Sequence, residues 1–94
     1  MKTRAMLAFE GSAPVMCRTT DLSAQGLSIN VPHPVQVGQV AQLRFDLLVD
    51  GTSVPINTRV KASHCILSSG EFKVGFQFLN LELGAMTALA RFFR

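Results

Sequence analysis

A two-residue hydrophobic period recurs along most of this chain and limits what it can fold into. In EFKVGFQF, Phe72, Val74, Phe76 and Phe78 fall on one side of an extended backbone, and Lys73, Gly75 and Gln77 on the other. In LRFDLLV, Leu43, Phe45, Leu47 and Val49 share a side opposite Arg44 and Asp46. SVPINTRVKASH sets Val54, Ile56, Thr58, Val60 and Ala62 against Asn57, Arg59, Lys61 and Ser63, and continues the inward register to His64. LSINV places Leu27, Ile29 and Val31 together, PVMCRTT does so for Val15, Cys17 and Thr19, and Ala5 to Glu10 is a less regular sixth segment. Side chains of a strand alternate between faces, so this period means half-buried strands.

The breaks between these runs are turn chemistry. They are Gly11-Ser12-Ala13-Pro14, Pro32-His33-Pro34, Val37-Gly38, Asp50-Gly51 and Ser68-Ser69-Gly70. Asp-Gly between alternating runs marks a hairpin. The short intervals suit a small antiparallel barrel or sandwich. After Leu79 the period changes. In LNLELGAMTALARFFR, Leu83, Met86, Leu89, Ala90 and Phe93 recur at helical spacing. Asn80 is the expected N-cap, Glu82 falls in the first turn, and Arg91 and Arg94 suit the last. This helix, over about 82–93, is expected to lay that face, Leu89 and Phe93 included, over an open edge or end of the sheet. The strands fill about 5–79, and residues 1–94 read as one domain.

With 48% hydrophobic and 16% charged residues, the chain is not of the disordered class. No apolar run approaches the ~20 residues of a membrane-spanning helix, and the N-terminus reads as a strand, not as a signal peptide. A cytoplasmic protein, or a domain of a larger one, is expected. The net charge of +3 comes from nine scattered basic residues with no Lys/Arg run. A stripe for DNA or RNA is not evident, whereas a small anion with a few phosphates fits. Cys17 and Cys65 form no CxxC pair, and with His33 and His64 they match no zinc spacing. Both fall in strand patterns and are expected to be buried free thiols. No Ser/His/Asp or Cys/His arrangement follows from spacing, so no catalytic residue, metal or cofactor is expected. The phenylalanines sit on the core side of their alternation. That counts against an OB-like single-strand nucleic-acid binder, which needs exposed stacking rings.

One connection carries more than a turn requires. Residues 21–26 read DLSAQG, which sets an acid, a hydroxyl and a glycine at Asp-x-Ser-x-x-Gly. Structurally, Asp21 and Ser23 can bond nearby amides and Gly26 can supply a positive φ. Chemically, a carboxylate accepts from the N1–H and exocyclic amine of guanine, hydroxyl and amide groups suit phosphate, and glycine allows a close approach. An arginine would complete such a set by forking onto guanine O6/N7 or phosphate.

DLSAQGLSI, then two further strands, FKVGFQFLNL and a short helix, together resemble the PilZ domain from about Arg4 to Phe93. The resemblance implies a mainly all-β fold, a six-stranded antiparallel β-barrel with one C-terminal α-helix. It implies a non-enzymatic bacterial receptor for the second messenger cyclic di-GMP that signals to a downstream protein or a covalently linked domain. The family's Asp/Asn-x-Ser-x-x-Gly motif falls on Asp21, Ser23 and Gly26. Its Arg-x-x-x-Arg motif is matched once, at Arg4: four positions later stands Ala8, and four earlier falls before Met1. The implied ligand residues are therefore Arg4, Asp21, Ser23 and Gly26, with Lys2 or Arg18 as possible further cations. The alternative is a divergent adaptor of the family that binds no nucleotide and acts through protein contacts.

Overall fold

The computed structural model describes residues 4–93. Its strands are β1 (Arg4–Phe9), β2 (Val15–Leu22), β3 (Gly26–Val31), β4 (Val40–Val49), β5 (Thr52–Ser68) and β6 (Glu71–Leu79), followed by one helix, α1 (Leu83–Phe92). All neighbouring strands are antiparallel, and they close into a barrel in the order β1-β2-β3-β6-β5-β4. The mainly-β expectation and the six-stranded barrel with one terminal helix both hold.

The alternation sets inside and outside. On β4, Ala41, Leu43, Phe45, Leu47 and Val49 are buried, whereas Gln42, Arg44, Asp46 and Leu48 face solvent. Ile56, Val60 and Ala62 of β5, Leu27, Ile29 and Val31 of β3, and Val74 and Phe76 of β6 join them in one core. Each large side chain enclosed this way contributes ~1.5–3 kcal/mol. Thr58 lies in the core without cost to its hydroxyl, which donates to the Leu79 carbonyl at 3.0 Å. The two tight hairpins are left-handed at both central residues: Asp50 and Gly51 have φ of 50° and 78°, Ser69 and Gly70 of 51° and 82°. That geometry matches the twist of the flanking strands.

Two expectations need correction. His64 does not continue the inward register of β5. The pairing with β6 shifts between Ala62 and His64, so Ser63 is an extra residue and His64 faces out. On the helix, Asn80 is not the cap. It takes a left-handed turn at φ 49°, and the N-cap position falls to Glu82, which makes no side-chain capping bond. The buried stripe is Ala88 and Leu89, with Ala85 and Phe92 partly covered; Phe93 is 46% exposed. The helix is apolar on two sides, and the barrel takes the side carrying Ala85, Ala88, Leu89 and Phe92. Leu83 and Met86 are left outside. Arg91 does occupy the last turn; Arg94 lies outside the described residues, as do Met1 and Lys2.

The cysteines are free, as expected, but only half-buried where the strand pattern predicts burial. The Cys17 thiol donates to the Ala5 carbonyl at 3.5 Å, and burial pushes its pKa up to about 11.

Candidate functional site

The barrel brings the Asp-x-Ser-x-x-Gly residues to one outer groove of about 370 Å³. The β2–β3 turn walls it on one side and β6 and β5 floor it, with Asp21, Ser23, Gln25, Gly26, Ser28, His64 and Gly75 among its lining. Register explains how a local motif meets distant residues. Asp21 pairs with Ser28, Ser28 with Gly75, and Gly75 with His64, so one cross-strand row runs over four strands. All four positions belong to the outer surface.

Each motif residue has a distinct task. The Ser23 hydroxyl donates to the Gly26 carbonyl at 3.2 Å and accepts from the Gln25 and Gly26 amides at 3.3 and 3.2 Å. The Ser23 amide also donates to the Gly26 carbonyl at 2.8 Å. Ser23 therefore builds the turn, as the structural alternative anticipated. Gly26 has no positive φ, contrary to expectation. It is required because β3 runs against β6: a Cβ there would collide with the Phe76 carbonyl oxygen and stand 3.1 Å from Gln77 Cα. Gly26→Ala is expected to destabilise the fold by ~1–3 kcal/mol, as overpacking against backbone does, seen as a lower denaturant midpoint. At Gly75 the space of the missing side chain is taken by the His64 imidazole, an exposed side chain that can turn aside, so this glycine is less strictly required.

Asp21 is exposed and holds an ion pair with Lys73 of β6, Nζ to Oδ2 at 2.9 Å. The hydrogen bond and charge of that ammonium keep the carboxyl pKa below its ordinary value. Asp21 is therefore an ionised acceptor on the lining of the groove. The Ser63 hydroxyl donates to the Gly75 carbonyl at 3.0 Å and lies 3.3 Å from His64 Nδ1.

Arg4 does not line this groove. It lies across β2 in a smaller concavity of about 200 Å³ shared with Met16, Cys17 and Arg18. A second cross-strand row nevertheless ties it to the site: Arg4 pairs with Arg18, Arg18 with Asn30, and Asn30 with Lys73. This cationic row lies two residues along β3 and β6 from the Asp21 row, ~7 Å away. Neither arginine has an ion pair among the described residues. Of the residues expected from the motifs, the fold brings Asp21, Ser23 and Gly26 together in this groove and sets Arg4 apart from it. Spacing did not reveal Lys73, Ser28 or His64 as neighbours of the motif, because strand register and the bulge at Ser63 create those contacts. Among the described residues no group of three or more His, Cys, Asp or Glu could hold a metal, and no helix is long and apolar enough to cross a membrane.

Solved structures with the same fold are known. The chain aligns with the inhibitor of motility MotI/DgrA of Bacillus subtilis at a TM-score of 0.85 and 16% identity, over 95% of this chain and 44% of that one. It aligns with the PlzA protein of Borreliella burgdorferi, solved in complex with c-di-GMP, at 0.66 and 18%, over 98% and 33%. The PilZ domain of CeSA from a cellulose-synthesizing bacterium gives 0.61 and 18%, over 97% and 88%. The chain thus spans less than half the length of the first two. No curated protein matches it. The PilZ domain profile matches residues 1–94 from end to end, and the chain belongs to the PilZ domain family.

Proposed function

We propose that this chain is a non-enzymatic receptor module for cyclic di-GMP that passes the signal to another protein or a linked domain. The observation that carries this reading is the pair of cross-strand rows. One presents an ionised acceptor, a hydroxyl and an imidazole beside a glycine floor; the next presents Arg4, Arg18 and Lys73. Cyclic di-GMP offers two guanine edges and two phosphates, which are the complements of these rows. Membership of the family and the PlzA complex support the same ligand.

In this proposal Asp21 accepts from guanine N1–H and the exocyclic amine. Arg4 and Arg18 fork onto phosphate or guanine O6/N7. Arg18 supplies from β2 a second guanidinium beside Arg4. Ser23 and Gly26 act by shaping the turn so that a base can lie against β3. The bacterial cytoplasm is the compartment in which such a ligand would be met.

Isothermal calorimetry with cyclic di-GMP tests the reading. Asp21→Ala is expected to weaken binding roughly ten- to a hundredfold, the loss of hydrogen bonds to a charged group, with little change in thermal stability because the side chain is exposed. An unaltered affinity in the folded variant removes Asp21 from the site. No heat from the native chain at high ligand concentration leaves the nucleotide-free adaptor.

A further inference from the structure

The barrel wall is not closed along its whole height. β5 has 17 residues and β4 has 10, and their pairing stops at Val40 and Lys61. Two loop bonds at Ala62, from the Gly38 amide at 2.8 Å and to the Gln39 carbonyl at 2.9 Å, extend that side by one residue. From there to Ser68, β5 is paired on its β6 side alone.

Parity fixes which groups the free side presents. The two-residue turn at Ser69 and Gly70 makes Ser68 and Glu71 a hydrogen-bonded pair. Bonded and non-bonded pairs then alternate, so Ile66 and Lys73 are bonded, while Leu67–Phe72 and Cys65–Val74 are not. The amides and carbonyls of Cys65 and Leu67 therefore point away from β6, to the open edge. No backbone partner for them is found among the described residues. The segment Ser63–Ser68 reads SHCILS and carries neither the proline nor the lysine that often guard an edge; beyond the bulge at Ser63 its strand is regular. Instead Ile66 and Leu67 stand 56% and 66% exposed.

We propose that this edge pairs with the same edge of a second copy of the chain, antiparallel about a two-fold axis at Ile66. Cys65 then faces Leu67 of the second copy and Leu67 faces Cys65 of the second copy, giving four backbone hydrogen bonds. The two Ile66 side chains meet at the axis as a non-bonded pair, where Cα atoms come to ~4.5 Å. Self-pairing of this kind requires two outward-directed residues flanking one inward-directed residue, and Cys65-Ile66-Leu67 has that pattern. Apolar groups lie at the axis, and Ser68 and His64 fall at its rim. An edge built for a foreign strand would carry pockets for alternate side chains, whereas Ile66 and Leu67 project from the wall. The contact is short, so the dimer forms with rising concentration.

Sedimentation equilibrium of the native chain is expected to show monomer and dimer. Ile66→Lys, an exposed position, should weaken association at least tenfold by placing like charges at the axis. With Cys17→Ser and Cys65→Ser as background, Ile66→Cys should oxidise to a disulfide-linked dimer, since the expected separation lies within disulfide reach. Leu48→Cys, equally exposed but on β4, is the reference and should link much more slowly. Circular dichroism melts check that each variant is folded. A strictly monomeric native chain overturns the proposal and leaves the edge to another protein. It is overturned equally by a dimer indifferent to Ile66→Lys, or by Ile66→Cys linking no faster than the reference.

Discussion

Arg4→Ala combined with Arg18→Ala is expected to reduce cyclic di-GMP binding by roughly 10²- to 10⁴-fold, enough to remove it from a calorimetric titration. The two guanidinium groups are direct cross-strand partners at the start of β1 and in the middle of β2, both exposed. Like charges placed opposite each other on a sheet repel, and neither has a carboxylate partner among the described residues. An anion bridging them relieves that repulsion and gains charge-assisted hydrogen bonds of ~1.5–3 kcal/mol for each arginine. Together that is ~3–6 kcal/mol, at 1.4 kcal/mol per factor of ten. Because both groups are exposed, affinity should fall with added salt. The single variants should each lose about half of the total in free energy. An arginine added four positions ahead of Arg4 should tighten binding further. The fold should be unaffected or slightly stabilised, which a thermal melt checks. A folded double variant that binds like the native chain places the nucleotide elsewhere on the barrel.

Leu89→Ala should cost ~2–5 kcal/mol of stability, the range for emptying a buried leucine site, while Phe93→Ala should cost well under that. Sequence periodicity puts both residues on one helix face, so it predicts similar losses. The structure separates them: Leu89 is buried within the core that closes around β4, and Phe93 is outside it with its ring edge-on to Phe92. Denaturant midpoints of the two variants measured side by side decide the matter. Equal losses would mean that the helix seats on the barrel by its other apolar side.

The helix shows why sequence reading succeeded on the strands and faltered there. A strand buried on one face has a single solution for its period, and the buried and exposed residues of β4 follow it without exception. A helix apolar at Leu83, Met86, Ala85, Ala88, Leu89 and Phe93 offers two stripes. Choosing between them takes knowledge of the surface beneath, which is built by residues distant in sequence. The candidate site divides in the same way. Asp21, Ser23 and Gly26 were legible because their spacing is local. The Lys73 ion pair and the Arg4–Arg18 pair were not, because residues 52 and 14 positions apart meet only through register. His64 was assigned to the wrong face because no local signal marks Ser63 as an extra residue.

That extra residue also divides the ways in which β5 can vary over evolutionary time. Below it, Ile56, Thr58, Val60 and Ala62 are committed to the barrel interior, and exchange there is paid in stability. Above it, the phase is reset, and His64 and Ile66 stand on the outer wall. Substitution at those two positions can therefore drift without disturbing the interior. One strand carries a constrained half and a permissive half, and descendants of this chain are free to diversify what they recognise while inheriting the same barrel.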